Sequence, residues 1–147
     1  MVNKIKIGNY SICNGTKPFI IAEAGVNHNG KINEAIKLAK KAKQIGAHCI
    51  KFQTFKTEDL LLPNTQKAKY QKKNTKSSLS QNSMLKRLEF DENDFKKIFE
   101  YCKKIDIEFM STPYSLKDVD FLDKLGVKAF KLSSMHLCEP YFVKYVL

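Results

Sequence analysis

The sequence predicts an α/β fold in which short parallel strands alternate with amphipathic helices. Short runs of apolar and β-branched residues recur along the 147 residues, and between them apolar residues recur at helical spacing. Strict alternation of this kind is typical of a parallel sheet covered by helices. The first strand-to-helix turn lacks G-x-G-x-x-G, which argues against a dinucleotide-binding version of the fold.

The first elements follow from local composition. Residues 4–12 are predicted to form a hairpin, and residues 18–24 are predicted to form a buried strand because they are apolar and β-branched. The apolar stripe over residues 32–45 predicts a helix. Gly46 stands directly after it, where a carboxyl-terminal cap is expected.

A second strand is predicted over residues 48–53, and a long polar segment follows it. This segment, residues 56–90, is of the kind that is usually a functional loop or disordered. Met84, Leu85 and Leu88 indicate that its far end packs as a short helix.

The rest of the chain continues the alternation. Asp91 and Ser115 have side chains that cap the amino termini of helices, and Gly126 is typical of a helix end. The predicted elements are a helix after Asp91, a strand over residues 107–110, a helix after Ser115, a strand over residues 129–132 and a helix from Glu139. Two architectures satisfy this order: an open doubly wound sheet and a (β/α)₈ barrel.

Composition restricts the class of protein. The chain is 43% hydrophobic and 28% charged, which suits a globular domain. No apolar run approaches the roughly 20 residues of a membrane span, and the start lacks a signal-peptide pattern. We therefore expect a cytoplasmic protein with no membrane partner. The cysteines form no C-x-x-C pair, which predicts reduced and mostly buried thiols.

The formal net charge of +11 raises the question of nucleic acid. Arg87 is the only arginine, and base readout and phosphate clamps favour arginine over lysine. The lysines are also dispersed over the predicted helices, so a solvated surface is the preferred interpretation and no nucleic acid is expected as a partner. The lysine-rich residues 67–76, with Tyr70, keep a basic nucleic-acid-binding module as a less favoured alternative.

Polar side chains collect at the carboxyl ends of the four predicted strands. In any parallel α/β fold these ends share one edge, where ligands bind. Ammonium and hydroxyl groups suit a small substrate that carries phosphate and carboxylate, and a lone carboxylate beside them suits acid–base chemistry. The residues are Glu23, Asn27 and His28 from the first strand, Lys51 and Gln53 from the second, Ser111 and Thr112 from the third, and Lys131, Ser133 and Ser134 from the fourth.

Each of these residues also has a purely structural interpretation. Glu23 could be a buried ion-pair partner of Lys51 or Lys131 without chemistry of its own. The strand-end hydroxyls, such as that of Thr112, could cap or fix turns. His28 could fix the turn after the first strand, and without a second histidine or carboxylate at ligand spacing it predicts no metal site.

Four segments together resemble the sialic acid synthase family, which includes N-acetylneuraminate, legionaminic acid and pseudaminic acid synthases. They are IAEAGVNHNG, KFQT, FMSTP and FKLSS, in that order, and the resemblance covers essentially all of the chain. It implies the first half of a (β/α)₈ TIM barrel with an amino-terminal β-hairpin, a partial domain over residues 1–147.

The resemblance implies the condensation of phosphoenolpyruvate with an N-acetylated amino sugar, such as N-acetylmannosamine, to give a nonulosonic acid and phosphate. It implies Glu23 as the catalytic acid at the reacting centre. Many members have an acidic residue that contacts the sugar where this chain has His136, which makes His136 a possible sugar contact. The residues implied to bind phosphoenolpyruvate are Lys51, Thr112, Lys131 and Ser134, with Gln53 contacting substrate in the same pocket.

The resemblance also implies parts that this chain does not contain. About four βα units are predicted here, whereas a barrel has eight. We expect the carboxyl-terminal half, an antifreeze-like domain and the ligands of a divalent metal, Mn²⁺ or Mg²⁺, to be missing, with no metal site in this chain. The chain alone is expected to be inactive, and the full-length protein to be a homodimer. Another phosphoenolpyruvate-dependent sugar-acid synthase barrel is the alternative enzyme.

Overall fold

The computed structural model describes residues 4–62 and 80–147, and the chain begins in it with the predicted hairpin. Strands β1 (Ile5–Ile7) and β2 (Tyr10–Ile12) pair antiparallel. The hairpin is held to the rest of the chain by an aromatic cluster in which the Tyr10 ring lies 5.2 Å from Phe19 and 4.9 Å from His48.

A three-stranded parallel sheet forms the centre of the fold. Its strands are β3 (Ile21–Gly25), β4 (Cys49–Thr54) and β5 (Glu108–Pro113), in that spatial order. Helices connect them, which confirms the predicted parallel α/β class. The order follows the chain, as it does in successive right-handed βα units.

The helices cover one face of this sheet. They are α1 (Ile32–Gln44), α2 (Thr57–Leu60), α3 (Gln81–Lys86), α4 (Glu92–Lys104), α5 (Leu116–Leu125) and α6 (Pro140–Val146), with a 3₁₀ helix over Ser134–Cys138. The core lies between the sheet and α1, α4 and α5. Its most completely buried side chains include Ile50 and Phe52 from β4, Ile98 from α4 and Leu122 from α5.

Helix ends are where sequence and structure agree best. The Asp91 carboxylate accepts the Asp94 N–H at 2.8 Å at the start of α4. Ser115 and Asp118 form a reciprocal capping box at the start of α5, and Gly126 ends that helix with φ of 91°. These local interactions stabilise the orphan N–H groups of a first turn and do not depend on distant packing.

Three expectations about elements need correction. Residues 129–132 do not form a strand: Phe130 makes one isolated bridge to Ser111, and the 3₁₀ helix begins at Ser134 before a ladder extends. Strand β3 is not fully buried, because it lies at an edge of the described sheet, where Ile21 is 40% exposed. Helix α2 was not predicted at all.

The long polar segment is described only at its two ends. Helix α3 confirms the short helix predicted near Met84 and Leu85. The lysine-rich residues 67–76, with the rest of this segment between residues 63 and 79, lie outside the described residues. Among the helices that the structure describes, none is both long enough and apolar enough to cross a membrane.

Candidate active site

Four of the predicted site residues lie on the sheet face opposite the one that packs against α1, α4 and α5. The β3–β4 register sets Glu23 opposite Lys51, and the β4–β5 register sets Gln53 opposite Thr112. Residues opposite each other, and residues two apart on one strand, point to the same face. Because Phe52 packs in the core on the other face, these four side chains form one polar surface at the carboxyl ends of the strands.

Glu23 and Lys51 form an ion pair across the first two strands. The Lys51 side chain is 11% exposed, whereas the Glu23 side chain is 49% exposed. The predicted pairing with Lys51 is therefore present in the structure, but the predicted burial of Glu23 is wrong. It does not exclude chemistry, because a half-exposed carboxylate can exchange its partner for a bound substrate, while the buried ammonium stays fixed beside it.

Gly25 shapes the space next to this pair. A β-bulge between Glu23 and Gly25 shifts the register, and Gly25 has φ of 54°. A Cβ at this position would lie 3.1 Å from Glu23 Oε1 and 3.7 Å from Gln53 Nε2. The glycine therefore leaves a gap between a carboxylate and an amide that a substrate hydroxyl fits chemically, because a hydroxyl both donates and accepts.

Thr112 is buried within β5, where it is 2% exposed. The remaining predicted residues occupy different positions. The Lys131 N–H donates to the Ser111 carbonyl at 3.2 Å, which places Lys131 next to β5 with an exposed side chain, and Ser134 is exposed at the start of the 3₁₀ helix. Lys131 thus lies within the fourth predicted strand, and Ser134 follows it.

His136 lies inside the fold and is 3% exposed. Its ring stacks on Phe142 at 3.8 Å between centroids, and its Nδ1 atom is 3.3 Å from Glu139 Oε2. Within the described residues its Nε2 atom is buried and has no hydrogen-bond partner. The suggestion that His136 contacts a sugar stays a prediction, and contact would have to be made through Nε2.

His28 fixes the turn after β3. Its Nδ1 atom accepts the Gly30 N–H at 3.1 Å, and its ring stacks on Phe90 at 4.0 Å. Burial lowers the pKa of His28 to about 4, because a charged imidazolium would be poorly solvated there. The turn interpretation of His28 is the one that this geometry supports.

This burial predicts a pH dependence of stability. The unfolded His28 titrates near 6.5 and the folded one near 4, so its contribution is present above pH 6.5 and is lost as the pH falls to about 4. We expect the free energy of unfolding to fall by about 3 kcal/mol more in this chain than in His28→Gln between pH 7 and 4. Urea titrations at both pH values would measure it, and equal losses in the two proteins would contradict it.

Two features of the site were missed by the sequence analysis. Tyr114 follows β5 directly and is half-buried beside the site; its place after S-T-P at a strand end was an available signal.

The second feature is a clamp that ties together the two described ends of the long segment. Lys56 Nζ donates to the Phe90 carbonyl at 3.1 Å, and the Thr57 N–H donates to Glu89 Oε1 at 2.6 Å. No local sequence pattern signals this contact.

Lysines and cysteines outside the site are explained structurally. Burial raises the pKa of both Cys49 and Cys102 to about 12, so neither is a reactive thiolate, whereas Cys138 is exposed, contrary to the expectation of mostly buried thiols. Several helix lysines pair with an acidic residue one turn away, as expected of a solvated surface. These pairs are Lys37–Glu34, Lys96–Glu92, Lys97–Asp94 and Lys103–Glu100.

Comparison with known proteins connects this geometry to one family. A family model described as NeuB family matches residues 36–147. The chain is 46% identical to the N,N'-diacetyllegionaminic acid synthase of Legionella pneumophila over an alignment of 136 positions, and the match covers 87% of this chain and 38% of the relative. It is 44% identical to the enzyme of the same name from Campylobacter jejuni, and that match covers 87% of this chain and 39% of the relative.

A solved structure agrees over almost the whole chain. The N-acetylneuraminic acid synthetase of Leptospira borgpetersenii, crystallised in complex with citrate, superposes with a TM-score of 0.82 at 29% identity. The match covers 99% of this chain and 46% of that protein. The chain thus spans less than half the length of each of these three proteins.

Proposed function

Because this chain belongs to the NeuB family, we propose that it forms the phosphoenolpyruvate-binding part of a nonulosonic acid synthase. The observation that supports this most directly is the single polar surface formed by Glu23, Lys51, Gln53 and Thr112. The reaction would condense phosphoenolpyruvate with an N-acetylated amino sugar. The parallel order of β3, β4 and β5 suits consecutive units of a (β/α)₈ barrel, which we propose as the complete fold.

The residues of this surface match the chemistry of phosphoenolpyruvate. That substrate carries a phosphate and a carboxylate, which call for ammonium groups and hydroxyl or amide donors. Lys51 would supply the buried ammonium, and Lys131 and Ser134 would supply an ammonium and a hydroxyl from the segment after Phe130. Thr112 would add a second hydroxyl from β5, with the Gln53 amide in the same pocket.

The proposed reaction forms one carbon–carbon bond and breaks one carbon–oxygen bond. The enol carbon attacks the sugar aldehyde, whose oxygen takes up a proton, and water adds at the neighbouring carbon. Phosphate then leaves with its bridging oxygen. Glu23 would position a hydroxyl or exchange a proton at this centre, which its half-exposed carboxylate beside the gap at Gly25 supports.

The divalent metal that the family implies would provide Lewis-acid polarisation of an oxygen when bound. Within residues 4–62 and 80–147, no three histidine, cysteine, aspartate or glutamate side chains converge as metal ligands. The described residues therefore do not fit a metal site, and no step of the reaction is assigned to one here. The acceptor sugar and its contact with His136 belong to the same proposal.

A hybrid enzyme tests this function. Residues 1–147 would replace the matching segment of the Legionella pneumophila relative, which is 46% identical, and phosphate release from phosphoenolpyruvate would be measured with a panel of N-acetylated amino sugars. We expect sugar-dependent release by the hybrid and none by the 147-residue chain alone. A folded hybrid that releases no phosphate with any sugar would refute the proposal.

A further inference from the structure

The segment after α3, residues 87–90, has no role in the function proposed above, but it contacts the chain beyond two strands of the site. On one side it packs against the turn after β3. The Phe90 ring stacks on the buried His28 ring at 4.0 Å between centroids. A Cβ added to Gly30 would overlap the Arg87 carbonyl oxygen. The turn after β3 is therefore packed closely against this segment.

The other side of the segment holds the start of α2, the short helix after β4. The Thr57 N–H donates to Glu89 Oε1 at 2.6 Å. Lys56 Nζ donates to the Phe90 carbonyl at 3.1 Å. These two hydrogen bonds are the clamp, and they lie just beyond Thr54, where β4 ends. The chain beyond β3 and the chain beyond β4 thus meet on the same short segment.

The ladder between β3 and β4 does not fix the site by itself. Its last pair is Gly25 with Phe52. Gln53 pairs with β5 but lies one residue beyond the ladder to β3. The gap at Gly25 is nevertheless bounded by Glu23 Oε1 from β3 and by Gln53 Nε2 from β4. The position of Gln53 relative to Glu23 therefore depends on contacts beyond the ladder, and the segment after α3 supplies such contacts to both strands.

Glu89 makes the shortest of the clamp contacts. Its side chain is 8% exposed, and its Oε2 atom lies 3.0 Å from the more exposed Lys86 ammonium. Burial alone would raise the pKa of Glu89, but the hydrogen bond from the Thr57 N–H and the Lys86 charge lower it, so the carboxylate is ionised near pH 7. An ionised acceptor makes a strong hydrogen bond. Because Thr57 is fully buried, removal of the carboxylate would leave a buried N–H in the first turn of α2 unpaired.

We propose that Glu89 is a positioning residue of the site, which ties the chain after β4 to the turn after β3 and so fixes Gln53 relative to Glu23. This inference rests on the proposed function. Glu89 acts through Thr57, while the segment that carries it is packed on His28. Loss of the link would leave the fold intact but let the two strand ends move apart, and small displacements of this kind weaken a binding site.

Amide hydrogen exchange, measured by NMR on the 147-residue chain, tests the link between the two turns. Glu89→Ala removes the acceptor of the Thr57 N–H, whereas Glu89→Gln keeps an acceptor oxygen there. The readout is the Gly30 N–H, which lies in the other turn and donates to His28 Nδ1 at 3.1 Å. We expect this N–H to exchange about tenfold faster in Glu89→Ala and close to the unchanged rate in Glu89→Gln.

Calorimetric titration with phosphoenolpyruvate shows whether the link positions the site. We expect Glu89→Ala to bind about fivefold more weakly or worse, and Glu89→Gln to recover most of the affinity. Lys86→Met removes only the exposed ion-pair partner of Glu89 and should bind as the unchanged chain does. Gly46→Ala lowers stability beyond the end of α1, where its Cβ would meet nothing within 4 Å, and serves as the control for a general loss of stability.

The possible outcomes separate the two proposals. If the Gly30 N–H exchanges no faster in Glu89→Ala than in Gly46→Ala, Glu89 supports local packing alone and the inference is wrong. Faster exchange with unchanged affinity also overturns it, and in both cases binding by the unchanged chain leaves the proposed function standing. If the unchanged chain binds no phosphoenolpyruvate, both proposals fail. Faster exchange together with weaker binding, both restored in Glu89→Gln, supports the positioning role.

Discussion

Replacing Lys51 by methionine is expected to weaken phosphoenolpyruvate binding by about a hundredfold or more, the largest effect on binding of any substitution in the site. Truncating one partner of a buried charge pair costs about 2–5 kcal/mol in binding, and each 1.4 kcal/mol is tenfold. The Lys51 side chain is 11% exposed, so its charge is poorly screened by water. Methionine has a similar length and fills the same space without the charge.

The fold should tolerate this substitution. Glu23 would lose its partner, but its side chain is 49% exposed and water can solvate the carboxylate. Removing a buried ammonium also removes its desolvation cost, and we expect a change in unfolding free energy of about 1 kcal/mol or less. Loss of binding can therefore be read as loss of a contact, provided that the urea midpoint is measured beside it.

A matched control separates this contact from the overall positive field. Lys40→Met, on the exposed side of α1, lowers the net charge by the same amount without touching the site. Long-range attraction by the net charge of +11 would weaken binding equally in both variants. If both variants lost the same affinity, or if Lys51→Met bound as well as the unchanged chain, Lys51 would be a structural partner of Glu23 and would not contact the substrate.

Local signals made the helices predictable. The Asp91 and Ser115 caps and the glycines after α1 and α5 were identified from sequence because a cap needs only a few adjacent residues. The strand predicted over residues 129–132 was wrong for the opposite reason. Their apolar character suits a strand, but a strand needs partners, and Phe130 finds one bridge in the described residues. Ladder length is a property of the sheet and not of the segment.

The site was predictable to the extent that parallel topology brings strand ends together. Which residues share a face followed from alternation, and the register confirmed that Glu23 meets Lys51. The clamp between Thr57 and Glu89 could not be foreseen, because it depends on how the long segment returns to the sheet. Contacts between residues distant in sequence need the assembled fold.

The substitution with the largest expected effect on stability is Gly30→Ala, in the turn that His28 fixes. Gly30 has φ of 69°, a conformation that costs an L-residue about 1–2 kcal/mol. An added Cβ would also overlap the Arg87 carbonyl oxygen and lie 3.2 Å from its carbon, both of which are backbone atoms that cannot rotate away. We expect a loss of about 3 kcal/mol or more in the free energy of unfolding, measured by urea denaturation.

Gly46→Ala separates the two causes within this loss. Gly46 follows α1 with φ of 81°, and a Cβ there would meet nothing within 4 Å. It should therefore cost only the conformational part, about 1 kcal/mol. The difference between the losses of unfolding free energy in the two variants measures how closely the segment after α3 approaches the turn after β3. If Gly30→Ala cost no more than Gly46→Ala, this segment would yield to the methyl group, and Phe90 would not be rigidly held against His28 as the structure has it.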